Sequence, residues 1–342
     1  MPRVVTFGEI MLRLSPPGFE RLFQSPVLGA TFGGGEANVA VSLAHFGLES
    51  AFVTRLPAHA IGDAAVRALR AEGVSTAAIV RGGQRLGIYF AETGASQRAS
   101  TVIYDRAHSA IAELEPGAVP WDAVLAGASW FHVTGITPAL GPKAAACTSE
   151  ALSAANAAGA RVSVDLNYRR KLWSTAQAQA TMRPLMRLVD VVIANEEDIQ
   201  AVLGLHVAGA HVTRGELDVA GYRAVAEQIT RELGPRLVAV TLRESRSASD
   251  NGWSAVLWDA EAGAFHRSQR YEVRLVDRIG GGDSFAAGLI YALVTGRSSE
   301  EALRFAVAAS ALKQTIPGDF NRVSVDEVDA LARGDASGRV QR

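Results

Sequence analysis

Cysteine is nearly missing from this chain: Cys147 is the only one in 342 residues. An intrachain disulfide is therefore impossible, and a thiolate metal centre would need other ligands. So few thiols fit a reducing cytoplasm. Cys147 lies in the Ala-rich stretch Lys143–Ala160, which reads as a helix burying an inert thiol. An excess of charge of either sign is missing as well. The formal net charge is -1 and no long basic block occurs, which argues against nucleic acid and anionic membrane as partners. Any anionic ligand must be met by a few local arginines. No apolar run reaches the ~18 residues of a membrane helix. Val4-Val5-Thr6-Phe7 is too short for a secretory leader core and has no small-residue cleavage site behind it. There is no Gly-Lys-Ser/Thr loop and no His-Arg-Asp loop, so P-loop and protein-kinase mechanisms lack their motifs. His206 and His211, five apart, suit no helical metal pair.

What is present is a large apolar fraction, 48%, beside 20% charged residues of mixed sign, enough for a sizeable core and unlike a disordered chain. Val- and Ile-rich runs predict strands at Arg3–Phe7, Ser50–Thr54, Ala128–Val133, Arg161–Asp165, Val189–Ala194 and Arg236–Leu242. Helical patterns lie between them, at Ala37–Phe46, Asp63–Glu72 and Tyr222–Leu233. The alternation implies a doubly wound α/β body with a mainly parallel sheet and helices on both faces. Ligands then belong at the carboxyl ends of the strands. Gly252–Trp258 and Phe265–Val273 predict a further strand pair, followed by helices at Asp283–Thr295 and Glu300–Thr315 and a frayed tail at 334–342. Two segments break the alternation. Leu12–Phe32 turns at Ser15-Pro16-Pro17-Gly18, and Arg85–Arg106 carries strand-like Gly87–Glu92 and Ser100–Tyr104. A flap over a site and a plain surface hairpin explain them equally well.

The run Gly280-Gly281-Gly282-Asp283 is the strongest chemical signal. Glycine backbones approach a ligand closely, and their N–H groups at a helix start form an anion site. An acid beside a phosphate site makes sense if it takes the proton of an attacking hydroxyl while the amides hold the transferred group. The bland alternative makes Asp283 an N-cap, but a cap needs one small residue rather than three glycines. Gly282-Asp283-Ser284-Phe285 also resembles a serine-hydrolase block. No histidine follows His266, so Ser284 lacks the base that such chemistry requires. The second run, Gly33-Gly34-Gly35, precedes Asn38, whose amide suits the hydroxyls of a polyol. Its spacing does not match a dinucleotide fingerprint, and a flexible connection is its bland reading.

In this order, these runs resemble the ribokinase-like (PfkB) sugar kinase family. The matches are Gly34-Gly35-Glu36-Ala37-Asn38-Val39-Ala40 with Gly47, and Asp277-Arg278-Ile279-Gly280-Gly281-Gly282-Asp283-Ser284-Phe285 with Ala287-Gly288. Asp165-Leu166-Asn167 and Asn195-Glu196-Glu197-Asp198 lie between them. Tyr89-Phe90, Tyr104-Asp105-Arg106, Asn167-Tyr168-Arg169 and Ile316-Pro317-Gly318-Asp319 are similar to strings of the 2-keto-3-deoxygluconate kinases in particular. The resemblance implies one kinase domain over 1–333 with a β-sheet lid from about 12–32 and 85–106. It implies transfer from ATP, with Mg²⁺, to the terminal hydroxyl of 2-dehydro-3-deoxy-D-gluconate. Asp283 would be the base, and the amides of Gly280, Gly281 and Gly282 the anion hole. Gly34, Gly35, Asn38, Tyr89, Tyr104 and Asp319 would hold the sugar. Arg106 and Arg169 would meet its carboxylate, since an acidic substrate favours bidentate, always-charged donors; surface ion pairs are their bland alternative. Asn167, Asn195, Thr241, Arg243, Glu244 and Ser245 would border the nucleotide, with Asp198 near the metal. A homodimer through the lid sheet is a further expectation. Kinases of fructose, ribose or 2-keto-3-deoxygalactonate, and a catalytically silent sugar-binding protein, are the alternatives. The sequence departs from the family pattern at Arg278, at Asp198 in place of Glu, at Pro57 in place of Gly, and at the glycine-free Thr241-Leu242-Arg243-Glu244-Ser245.

Overall fold

The computed structural model describes residues 1–207 and 219–335. His211 and most of the expected tail, 336–342, lie outside the described residues. Among the described residues the strands are β1 (Arg3–Phe7), β2 (Met11–Ser15), β3 (Gly29–Gly33), β4 (Glu49–Leu56), β5 (Ile79–Arg81), β6 (Gly87–Glu92) and β7 (Thr101–Asp105). They continue with β8 (Trp130–Thr134), β9 (Arg161–Asp165), β10 (Val191–Ala194), β11 (Leu237–Ser245), β12 (Asp250–Asp259), β13 (Ala264–Arg267) and β14 (Tyr271–Arg274).

The central sheet runs β13-β12-β11-β10-β9-β8-β1-β4-β5, with β14 also paired to β12. From β11 through to β5 every pairing is parallel. The apolar runs explain this: β8 and β10 are buried at every position, as strands covered on both faces must be. Alternation then divides the core. Val5 and Phe7 face one apolar cluster with Phe131 and Val164, whereas Val4 faces the other with Trp130 and Phe285. The fold is the doubly wound α/β body expected from the sequence.

The second sheet runs β3-β2-β6-β7. It arises from the two segments that broke the alternation, with β2 and β6 parallel and the outer pairs antiparallel. The expected strand Phe265–Val273 is two strands. Three residues, Ser268 to Arg270, oppose only Ser254 and Ala255 of β12 between the paired stretches. The Ser268 hydroxyl takes the Ala255 N–H that a regular ladder would use, so a bulge divides the run. Helices Gly35–His45 and Gly281–Val294 pack side by side and bring both glycine runs to the carboxyl ends of the strands. Gly288 permits close packing on helix Ser299–Lys313: a Cβ there would lie 2.9 Å from Ala306 Cα. No described helix is long and apolar enough to cross a membrane.

Candidate active site

A cavity of about 430 Å³ lies between the strand ends and the small sheet. Asp165 reaches it from β9, Ala194 from β10 and Thr241 from β11, while Tyr89 and Tyr104 close it from the lid.

Its floor is the start of helix Gly281–Val294. Gly280 has φ 83°, and an added Cβ would lie 2.2 Å from the Asp319 carbonyl oxygen, so glycine is required there. A Cβ on Gly282 would meet nothing within 4 Å, which leaves room above the helix N-terminus for an anion. Gly281 lies just behind the lining, against Gln314. Asp283 lines the floor, and Asn38 Nδ2 donates to its Oδ2 at 2.7 Å. The same asparagine accepts the Gly34 N–H, so Asn38 ties the second glycine run to the acid. Desolvation, reinforced by repulsion from Asp319 and partly offset by the Asn38 hydrogen bond, pushes Asp283 up to about 6. It is thus ionised at neutral pH yet poised to take a proton. Ser284 is fully buried and accepts from Asn321 Nδ2, which closes the hydrolase alternative.

One wall is acidic. Asp198 accepts the Tyr168 N–H and is pushed up to about 6, chiefly by burial. Asp165 rises well above the usual carboxylate range through burial and repulsion from Asp198 and Asp283. Asn195 caps Asp198 through its side-chain oxygen. Asn167 holds φ 39°, a conformation that asparagine tolerates better than most residues. Among the described residues no group of three His, Cys, Asp or Glu is placed to hold a metal unaided. The carboxylates of this wall suit Mg²⁺, which is commonly held by one or two carboxylates together with substrate phosphates.

The rim is basic. Arg169, Arg243 and Arg278 all line the cavity. Arg243 stacks on Trp253, and desolvation by the walls, then repulsion from Arg278 and Arg169, lower it to about 10. Its side chain is open at the mouth, so the two neighbouring cations are the more persuasive cause. Arg169 donates to the Tyr168 carbonyl and enters none of the ion pairs among the described residues.

On the lid side the charges are paired. Arg106 forms a buried ion pair with Glu9, which also accepts from Ser109. Arg13 spans Asp277 and Asp319 at 2.7 and 2.8 Å. Tyr89 donates to Asp319 Oδ2 at 2.6 Å. Glu36 is buried beneath Gly35 and takes three donors from Thr134 and Thr137, with burial pushing it up to about 7.

The structure therefore brings together Gly34, Gly35, Asn38, Tyr89, Tyr104, Arg106, Arg169 and Asp319 with Asp283, and Asn167, Asn195, Asp198, Thr241 and Arg243 with the same cavity. It does not bring Glu244 or Ser245 there. Glu244 is clamped by Arg270 through two hydrogen bonds of 2.7 Å, and Ser245 is exposed. Sequence reasoning missed Glu9, Arg13 and Glu36. Glu9 carried one usable signal, its place just after the carboxyl end of a parallel strand. Arg13 carried none.

The pfkB family carbohydrate kinase pattern matches residues 1–322. A crystal structure of 2-dehydro-3-deoxygluconokinase from Thermotoga maritima is 51% identical, with TM-score 0.93, covering 98% of this chain and 100% of that one. A 2-dehydro-3-deoxygalactonokinase of Haloferax volcanii is 35% identical over 98% of both chains. A 2-dehydro-3-deoxygluconokinase of Bacillus subtilis is 26% identical over 94% of this chain and 93% of its own. Fold and family are those of a carbohydrate kinase, an enzyme that passes a phosphoryl group to a sugar hydroxyl. The chain belongs to the PfkB family.

Proposed function

We propose that the protein phosphorylates the terminal hydroxyl of 2-dehydro-3-deoxy-D-gluconate with ATP, giving the 6-phosphate and ADP. The observation that carries this reading is one cavity holding both Asp283, beside the amides of a glycine-rich helix start, and Arg169, a cation in no salt bridge among the described residues. The Asp283 carboxylate takes the hydroxyl proton as the oxygen bonds to the γ-phosphorus. The bond from that phosphorus to the β-phosphate oxygen breaks, and its electron pair leaves with ADP. The Gly280–Gly282 amides stabilise the transferring group, and Arg243 and Arg278 balance the triphosphate. Asn167, Asn195 and Thr241 border the nucleotide, and Asp198 is the residue that would hold Mg²⁺, directly or through water. When bound, Mg²⁺ neutralises phosphate charge.

The sugar carboxylate docks on Arg169. Arg106 is already balanced by Glu9, but its Nε is buried without a partner and offers one more donor to a sugar oxygen. Tyr104 and Gly34 complete the pocket. Asp319, held by Arg13 and Tyr89, accepts from a further hydroxyl. The Haloferax relative is named for the galactonate epimer, which favours activity on 2-dehydro-3-deoxy-D-galactonate as a second reading. Values of kcat/KM on both epimers, fructose and ribose decide the matter: strong turnover of neutral sugars with none of either acid refutes the proposal. The lid also exposes Phe19, Phe23, Val27 and Ile103, an apolar group that supports a homodimer formed through that sheet.

A further inference from the structure

Lys313 is the last residue of helix Ser299–Lys313 and is wholly buried, with 0% of its surface exposed. Its ammonium meets four main-chain carbonyl oxygens. Those of Asp277 and Ile279 belong to the loop leading into the glycine run, and those of Ile316 and Gly318 to the segment leading to Asp319. The separations are 3.3 Å to Asp277, 3.5 Å to Ile316 and 2.6 Å to Gly318, with Ile279 closest. An ammonium has three protons, so four oxygens around it form a cation cage rather than a set of single hydrogen bonds. Rings of backbone carbonyls are the chemistry that holds bare monovalent cations.

The cage stands directly behind the anion hole. A Cβ on Gly280 would come within 3.2 Å of Lys313 Cε. The Asp277 carboxylate accepts from Ile279 N–H and Gly318 N–H, tying the same two loops together beside the ammonium. The sequence supports the choice of group: only three of the 34 basic residues are lysine, the rest arginine. A planar guanidinium fork does not fit a compact carbonyl cage, whereas an ammonium is a point charge.

We propose that Lys313 is a built-in monovalent cation, a positioning residue that fixes the Asp277–Gly280 loop so that its amides meet the transferring phosphoryl group. The inference rests on the anion-hole reading of the preceding subsection. It makes the enzyme independent of added potassium or ammonium, because the site such an ion would take is already filled from within.

The test compares wild type and Lys313→Ala in potassium, ammonium and tetramethylammonium salts. The wild type is expected to turn over equally in all three; a requirement for potassium overturns the proposal. In tetramethylammonium, Lys313→Ala is expected to lose kcat on the order of 10²-fold, the scale of a lost oxyanion-hole donor, with little change in KM for the sugar. Potassium or ammonium should restore part of that kcat and raise the melting temperature. A variant with full turnover without either ion, or with a loss that neither ion restores, overturns it. If Lys313→Ala does not fold, Lys313→Gln carries the same comparison. The melting shift needs no turnover, so this inference and the proposed activity fail separately.

Discussion

The floor of the cavity and its lid use charged groups in opposite ways. On the lid side, Arg13, Arg106, Asp319 and Glu9 are buried and bound to one another. Toward the floor and rim, Asp283 has a single side-chain hydrogen bond from Asn38, and Arg169 is in no salt bridge among the described residues, though its charge favours the ionised forms of Asp165, Asp198 and Asp283. Paired charges hold a shape. Unpaired ones are held ready for a ligand: Asp283 is raised to about 6 and Arg243 lowered to about 10. Substitutions on the two sides should therefore fail differently.

Asp283→Asn should show the largest effect on chemistry. General-base catalysis contributes ~10²–10⁴-fold, and turnover should fall by that amount while sugar binding survives, as calorimetry can check. The same variant should be more stable. Folding raises this acid from 3.8 to about 6, so the native state binds more protons than the unfolded chain between those values. Stability then falls as pH rises through that window and stays lower above it, by about 1–3 kcal/mol. The neutral amide escapes that cost, and its advantage in melting temperature should vanish below about pH 4. In wild type, kcat/KM should drop about tenfold per pH unit below 6, because the base is then protonated.

Arg106→Ala should act mainly on stability. It leaves Glu9 buried and unpaired, at a cost of about 3–5 kcal/mol, read as a lower denaturation midpoint. Arg169→Ala should do the reverse: stability within about 0.5 kcal/mol of wild type, but KM for the sugar acid raised ~10–100-fold, since a hydrogen bond to a charged group contributes ~1.5–3 kcal/mol. Equal behaviour of these two variants would break the distinction between lid and rim. The smallest effect belongs to Phe23→Glu, on an exposed lid residue. It should shift sedimentation toward monomer, with a stability change of about 0.5 kcal/mol or less.

The floor was legible in the sequence because it is local. Three glycines and an acid at a helix start state their own backbone requirement, and Gly280 and Gly282 meet it for different reasons, a left-handed turn and open space. Several strands were equally plain: β1, β6 and β9 fall where they were expected, residue for residue. β5, only three residues long, left no pattern to read. The Ser268 bulge depends on a partner strand that periodicity does not display. The lid's charges were hidden for a similar reason. Arg106 and Glu9 are 97 residues apart, and Arg13 and Asp319 are 306 apart, so only the fold reveals which arginine is already taken. In the sequence, Lys313 is one cation in the last turn of a helix, and nothing in its neighbours announces the carbonyl cage.

The most direct measurement is a crystal structure with 2-dehydro-3-deoxy-D-gluconate and a non-hydrolysable ATP analogue. The account predicts the C6 hydroxyl within hydrogen-bond reach of Asp283, the γ-phosphate over Gly280–Gly282, and the sugar carboxylate on Arg169. A sugar bound with its carboxylate toward Asp283, or with Arg169 turned away from it, would contradict the account.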